Sequence, residues 1–234
     1  NGIISNEWYD RSTAKTMYCV SDSTVKPLGT TSISGKMSPK NLLTSTIGDE
    51  LKLASNFRSK VIGVALKDRG SILPAGSGAD AAYWHDSYSN NMISSTYYMN
   101  SLPKWVEDFN NRKVADSLTS RPWTTLLLIE KYTESSPDNT PYEGLFKGEV
   151  EPIFPHNLPM LRDSNSEIIR QTPMGNTLTT MFAKETIVNE KLGKGSETDM
   201  IAISYTSTDL VGHMYGINAI ELEDTYLRLD REIA

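Results

Sequence analysis

Several features that would identify a site at once are scarce in this sequence. Cys19 is the one cysteine in 234 residues, which excludes a disulfide framework and a thiolate-bound metal. The three histidines are widely spread, at positions 85, 156 and 213. The longest apolar runs, such as residues 125–129, are too short to cross a bilayer, so no membrane association is expected.

Positive charge is also limited and scattered. Lysine and arginine total 23 against 29 aspartate and glutamate residues, which gives a formal net charge of −6. The basic residues form no run or stripe, so we do not expect a nucleic acid as the main partner. The hydrophobic content of 38% is ordinary for a globular protein.

The two ends of the sequence suggest a larger protein. The chain starts with NGIISNEWYD, without a methionine or a signal sequence, and ends with LRLDREIA, a helical pattern without a C-cap. We therefore expect these residues to be an internal part of a longer polypeptide.

The order of the predicted elements indicates an α/β fold. KVIGVAL at 60–66 and MIAISY at 200–205 have the length and apolar density of buried strands. Helices are predicted at 38–43, 48–58, 102–112, 172–192 and 218–233. The alternation of helices and strands is typical of a mostly parallel sheet.

Three details of this pattern are specific enough to check. Asn218 and Glu221 have the spacing of a capping box at the start of the last helix. Residues 74–84, PAGSGADAAYW, are predicted to turn or to form a helix, and a polar stretch follows to about residue 100. We expect residues 1–234 to form part of one domain, with a loop-rich, proline-rich excursion at about 117–172.

Asp209 and His213 follow the second predicted strand, four residues apart, in SYTSTDLVGH. Open α/β folds bind ligands at the carboxyl edge of the sheet, and an oxygen ligand beside a nitrogen ligand suits zinc. The spacing is equally consistent with a helix-capping aspartate and a surface or core histidine. A catalytic zinc also needs three protein ligands, so both interpretations stay open.

Lys67 and Arg69 follow the first predicted strand in VALKDRG. Period-two alternation at the end of this strand puts both side chains on one face and Asp68 on the other. Two cations at a sheet edge can hold an anion, the arginine through two oxygens and the lysine as a point charge. A solvated strand end that pairs locally with Asp68 is the alternative.

The remaining candidates are weaker. Asn6 in IISNEW either forms a turn or offers its amide to a ligand oxygen. His85 and His156 are assigned to structural or surface roles.

Taken together, several segments resemble one family. NGIISNEWYD, KVIGVALKDRGSILPAGSGADAAYW, IEKYTES, SYTSTDLVGHMYG and EDTYLRLDREIA occur in the order seen in the alkaline phosphatase superfamily. They are most similar to the PafA-type, phosphate-irrepressible bacterial alkaline phosphatases, which are related to nucleotide pyrophosphatase/phosphodiesterases. The resemblance covers the whole chain, and STDLVGH and KDRG together are specific.

This resemblance implies a three-layer α/β/α sandwich with two zinc ions at the sheet edge. A threonine nucleophile forms a covalent phosphoenzyme in the family, which water then hydrolyses. By this resemblance, Asp209 and His213 ligate the zinc that activates the water. Lys67 and Arg69 hold the phosphoryl oxygens, and Asn6 donates its amide to one of them.

The sequence also departs from the family pattern. The family reads histidine at Asn1 and usually at Ser77. The nucleophilic threonine, an upstream aspartate ligand of the second zinc, and a downstream Asp-His pair and histidine all fall outside this chain. The chain therefore supplies only part of the ligand set and no nucleophile.

The resemblance implies the central part of a zinc-dependent phosphatase that hydrolyses small-molecule phosphate monoesters through a phosphothreonine. Such enzymes are exported to the periplasm or secreted, and the isolated chain would be inactive. A phosphodiesterase or nucleotide pyrophosphatase of the same superfamily is one alternative. A non-catalytic binding module that keeps this segment of the fold is another. The oligomeric state is not predicted.

Overall fold

The computed structural model describes residues 2–234, and Asn1 lies outside the described residues. The chain divides into two compact units: unit 1 is Asn1–Arg112 with Phe182–Ser204, and unit 2 is Lys113–Met181 with Tyr205–Ala234. The strands are β1 (Glu7–Asp10), β2 (Lys15–Tyr18), β3 (Pro27–Leu28), β4 (Val61–Ala65), β5 (Ala81–Asp86), β6 (Asn91–Ser95) and β7 (Met200–Ser204). The helices are α1 (Ile47–Ala54), α2 (Asp68–Ala75), α3 (Lys104–Asn111), α4 (Val114–Leu118), α5 (Leu158–Leu161), α6 (Met174–Asn189), α7 (Ser207–Tyr215) and α8 (Ile220–Ile233).

Unit 1 is built on a mixed sheet. Among the described residues its strand order is β3-β6-β5-β4-β7. β4 runs parallel to β5 and β7, while β6 runs antiparallel to β5 and β3. Every residue of β4 is buried, which confirms the strand predicted at 60–66. β7 confirms the strand predicted at 200–205, although its residues are only half-buried because it lies at the edge of this sheet.

Helices cover both faces of this sheet. On one face α2 packs against β4 so closely that a Cβ at Gly63 would lie 2.1 Å from the carbonyl oxygen of Ser71. Val64 follows Gly63 in β4, so its side chain points to the face of the sheet opposite α2. Tyr83 of β5 is paired with Val64 and therefore points to that same face. There its ring contacts Phe182 of α6, with centroids 5.3 Å apart. The α/β prediction is confirmed, with parallel and antiparallel pairs in one sheet.

Two secondary-structure elements predicted for unit 1 are not formed. No helix forms from Ser38, because its hydroxyl donates to Asp22 at 2.7 Å and accepts the Lys40 N–H at 3.2 Å, which closes a turn. Residues 81–86 and 91–95 form β5 and β6 instead of a turn, a helix or a polar loop. Burial of Tyr83 and Trp84 in the sheet outweighs the weak local signal there.

Unit 2 has little regular structure between residues 117 and 172, and it is organised by an apolar core. The core residues are Trp123, Phe146, Leu158, Leu161, Ile168, Val211, Tyr215 and Ala219. The expected single domain with an excursion at about 117–172 stays a prediction. No helix in the described part of the chain is both long and apolar enough to cross a membrane.

His156 lies in this core, fully buried between two carboxylates. Its Nδ1 is 2.8 Å from Oε1 of Glu149, and its Nε2 is 3.2 Å from Oε1 of Glu221. Burial lowers the pKa of His156, but the hydrogen bonds and charges of the two glutamates outweigh burial and raise the pKa to about 9. The imidazole is therefore a cation that joins the loop around residues 149–156 to α8, a structural role.

The capping box predicted for the last helix is not formed. The N-cap of α8 is Ala219, which makes no side-chain cap, and Glu221 is fully buried against His156 instead of reaching back to Asn218. Burial raises the pKa of Glu221 and, to about 6, the pKa of nearby Asp138. The interaction of Glu221 with charged His156 in the core thus outweighs the capping-box spacing of Asn218 and Glu221.

We expect the His156→Gln substitution to lower the free energy of unfolding by about 3–5 kcal/mol, because it leaves two buried carboxylates without their cation. Denaturant unfolding measures this change. His213→Gln is the matched control, since the His213 side chain is 76% exposed and should be replaceable with little effect. Equal stability of the two variants would contradict the structural role of His156.

The stability of unit 2 should fall as the pH rises. The pKa of His156 is raised from 6.5 to about 9, so its contribution is complete below about pH 6.5 and is lost as the pH passes about 9. Asp138 acts with the same sign at lower pH, because burial raises its pKa from 3.8 to about 6. Denaturant unfolding at a series of pH values should show a steeper alkaline decline in the wild type than in His156→Gln. Parallel curves would be incompatible with this assignment.

Candidate functional site

The expected site residues are divided between the two units. Asn6, Lys67 and Arg69 belong to unit 1, while Asp209 and His213 belong to unit 2. Each unit thus carries its own group of side chains.

Lys67 and Arg69 stand at the start of α2. β4 ends at Ala65, Lys67 is the N-cap of α2, and Asp68 and Arg69 are its first helical residues. The strand alternation predicted for KDRG is therefore wrong, because the chain turns into a helix directly after Lys67. Lys67 and Arg69 are both half-buried, so they are partly accessible to a ligand.

Tyr18 of β2 connects this helix start to the N-terminal hairpin. Its hydroxyl donates to Oδ1 of Asp68 at 2.6 Å and accepts from Nη1 of Arg69 at 3.1 Å. Oδ1 of Asp68 also accepts the Arg69 backbone N–H at 2.6 Å. Asp68 therefore does not point away from the cations but takes part in the same network.

Burial and neighbouring charges act on the pKa values of two members of this network, Arg69 and Tyr18. Burial lowers the pKa of the Arg69 guanidinium, but its hydrogen bond to Tyr18 and the charge of Asp68 raise the pKa above its ordinary value. Burial, and then the charge of Asp68, raises the pKa of the Tyr18 hydroxyl. Arg69 is therefore a cation, and Tyr18 keeps the proton that it donates to Asp68.

Asn6 directly precedes β1 and is placed by the hairpin. β1 and β2 pair antiparallel with Glu7 opposite Tyr18, and the carbonyl oxygen of Asn6 accepts the Cys19 N–H at 2.9 Å. Asn6 is exposed, so its amide is accessible. The register of the hairpin thus holds Asn6 at the same end as Tyr18.

Asp209 and His213 lie one turn apart on α7. Nε2 of His213 is 3.3 Å from Oδ1 of Asp209, and the two side chains are 76% and 53% exposed. The N-cap of α7 is Thr206, so Asp209 is not the capping residue of the alternative interpretation.

These two side chains fit part of a zinc site. A carboxylate oxygen and an imidazole nitrogen on one helical face are both ligands that zinc accepts. Within residues 2–234, however, no group of three or more His, Cys, Asp and Glu residues is arranged to hold a metal ion. The pair would thus supply two of the three protein ligands that a catalytic zinc requires.

We expect this chain by itself to bind zinc only weakly, because two exposed ligands leave the ion largely solvated. Calorimetric titration should give a weak binding signal that His213→Gln abolishes. Atomic absorption after gel filtration should then find little zinc. Stable retention of a complete two-zinc centre would contradict the partial ligand set.

Tyr18 and Asp68 were not predicted as members of the site. They are 50 residues apart in the chain, and no local pattern joins a strand residue to a helix start over that separation. Of the two departures from the family pattern, Asn1 lies outside the described residues. Ser77 is exposed, and its carbonyl oxygen accepts the hydroxyl of Tyr97 at 2.9 Å.

Comparison with known proteins identifies the family. The family model for type I phosphodiesterase / nucleotide pyrophosphatase matches residues 1–234. The chain belongs to this family. The resemblance inferred from KDRG and STDLVGH is thereby confirmed, since the phosphodiesterase family and the alkaline phosphatases below both match.

The chain is similar over its whole length to longer proteins. Alkaline phosphatase PhoV of Synechococcus elongatus is 50% identical over 233 residues, which are 100% of this chain and 42% of PhoV. Alkaline phosphatase PafA of Elizabethkingia meningoseptica is 50% identical over 236 residues, 100% of this chain and 43% of PafA. A Myroides odoratus protein named a calcium-transporting ATPase is 53% identical over 237 residues and is covered to 43%. The chain thus spans less than half the length of these relatives.

The structural comparison agrees with the family. The crystal structure of wild-type PafA matches with a TM-score of 0.96 at 50% identity, over 99% of this chain and 45% of that one. A second PafA structure, substituted at a threonine, an asparagine, a lysine and an arginine, matches at 48% identity with the same TM-score. The α/β fold of this chain is therefore alkaline-phosphatase-like.

Proposed function

We propose that this chain is the central part of a zinc-dependent alkaline phosphatase that hydrolyses phosphate monoesters. The reaction would pass through a covalent phosphothreonine whose threonine lies outside this chain. The substrate would be a small-molecule phosphate ester, and the enzyme would act in the periplasm or outside the cell. Since the chain spans less than half of PhoV and PafA, the isolated 234 residues would be inactive.

The observation that carries this proposal is the pair of cations at the start of α2. Lys67 and Arg69 are half-buried and separated by one residue. The lysine and the arginine that are substituted in the second PafA structure are also separated by one residue. A helix start favours anions, and arginine binds two oxygens of a phosphoryl group at once.

The residues of this chain would bind and orient the phosphoryl group. Arg69 would fork onto two of its oxygens, Lys67 would add a second positive charge, and the exposed amide of Asn6 would donate to a third oxygen. Fixed donors of this kind stabilise the charge that develops on the equatorial oxygens during phosphoryl transfer. Asp209 and His213 would hold one zinc ion.

When bound, zinc supplies Lewis-acid stabilisation of the oxygens that attack and leave phosphorus. The chain contributes to this through one carboxylate and one imidazole on α7, already 3.3 Å apart. The remaining ligands would come from the rest of the polypeptide.

The charge of the substrate separates two activities within the family. A terminal phosphate monoester is a dianion, whereas a diester carries one negative charge, so two adjacent cations favour the monoester. The second candidate is a phosphodiesterase or nucleotide pyrophosphatase, which the family match favours. A non-catalytic module would hydrolyse neither class.

We expect Lys67→Ala, made in the full-length polypeptide with zinc bound, to lower kcat/KM for a phosphate monoester about tenfold or more. The same change should lower kcat/KM for a diester less than about threefold, because a monoanion gains less from the second cation. Lys15→Ala in the exposed part of the hairpin is the matched control and should leave both rates unchanged. A wild-type protein that prefers the diester would refute the monoester assignment.

A further inference from the structure

We propose that Tyr18 is a positioning residue that orients the guanidinium of Arg69 for a phosphoryl group and keeps Asp68 from neutralising it. This inference rests on the proposed function. It gives a role to a residue outside the KDRG and STDLVGH motifs, carried by a different strand.

The Tyr18 hydroxyl makes one hydrogen bond as a donor and another as an acceptor. Tyr18 donates its proton to Oδ1 of Asp68 at 2.6 Å and accepts from Nη1 of Arg69 at 3.1 Å. One donor of the guanidinium is therefore fixed by a neutral acceptor. Within residues 2–234, the Arg69 side chain forms no salt bridge, although Asp68 is its direct neighbour in sequence.

The neutral partner matters because a carboxylate would compete with the substrate. A direct pair between Arg69 and Asp68 would be charge-assisted and would engage the donors that a phosphoryl group needs. The Tyr18 hydroxyl occupies Oδ1 of Asp68 while it orients the guanidinium. The guanidinium of Arg69 thus makes no direct ion pair with Asp68, whose Oδ1 is taken by Tyr18.

The ring of Tyr18 is itself held by packing. It is half-buried against the apolar cluster that includes Cys19, Val20 and Ile72. Tyr18 also lies opposite Glu7 in the hairpin, next to the residue pair that holds the backbone of Asn6. A side chain fixed by packing can hold its hydroxyl within the narrow range that a binding group requires.

The test is a double-mutant cycle in the full-length, zinc-loaded protein, with a phosphate monoester as substrate and inorganic phosphate as a competitive inhibitor. Tyr18→Phe keeps the ring and removes both hydrogen bonds. We expect it to lower kcat/KM about tenfold, which corresponds to about 1.4 kcal/mol, and to weaken inhibition by phosphate by a similar factor.

Introducing Tyr18→Phe into the Arg69→Ala variant distinguishes a positioning role of Tyr18 from a purely structural one. There, Tyr18→Phe should change kcat/KM by less than about twofold, because the group that Tyr18 orients is already absent. Loss of a purely structural contact would produce the same fold-change in both backgrounds. Tyr9→Phe is the matched control on the same hairpin, since Tyr9 is 63% exposed, and it should behave as the wild type.

Two results would overturn the inference. One is a Tyr18→Phe enzyme within about twofold of the wild type, and the other is an equal loss in the presence and absence of Arg69. Failure of the proposed function would look different, because the wild-type protein would then show no phosphomonoesterase activity with zinc bound.

Discussion

The close contact between α2 and β4 is the constraint on which unit 1 depends. At Gly63 there is room for a hydrogen but not for a Cβ, so the helix lies directly on the strand. This contact leaves two residues between the end of β4 and the start of α2, and Lys67 is one of them. The first turn of α2 then presents Arg69 beside the N-terminal hairpin. A larger residue at position 63 would move the helix start and both cations with it.

Unit 2 is held together by a different principle. Between residues 117 and 172 the described chain forms only short helical segments, so few backbone hydrogen bonds connect distant parts of it. Instead, a buried imidazolium links Glu149 and Glu221 inside an aromatic cluster that includes Trp123 and Phe146. Removal of either partner from such a pair leaves an uncompensated buried charge, so substitution of any of these residues is expected to destabilise the fold.

The sequence was informative where local pattern and tertiary role agree. The strands β4 and β7 were predictable from the length and apolar density of their runs, and the helices α6 and α8 from apolar residues at helical spacing. β5 was not, because a glycine-rich stretch and two alanines, which do not favour strands, precede Tyr83 and Trp84, and two strand-favouring residues are too few to decide the element. Ser38 and Asn218 had the right chemistry to begin helices, but Ser38 closes a turn and α8 starts at a different residue.

The candidate site shows the same limit. Asn6, Lys67, Arg69, Asp209 and His213 were identified from a resemblance whose family is confirmed, while their individual roles stay predictions. Asp68 was predicted to point away from Lys67 and Arg69, because the alternation of strand β4 was extended to residues that belong to α2. The link from Tyr18 to Arg69 could not be predicted, since it joins the end of β2 to the first turn of α2, and only the fold brings these two together.

The charge on His156 also bears on how an activity profile of the proposed full-length phosphatase would be interpreted. A phosphatase that works in alkaline solution operates near the range where this imidazole, with its pKa of about 9, loses its proton. Loss of this proton would then lower the stability of unit 2 in the same pH range in which groups that touch the substrate could also titrate. An irreversible, time-dependent loss of rate in that range would be the signature of the fold, whereas a catalytic group would titrate instantly and reversibly.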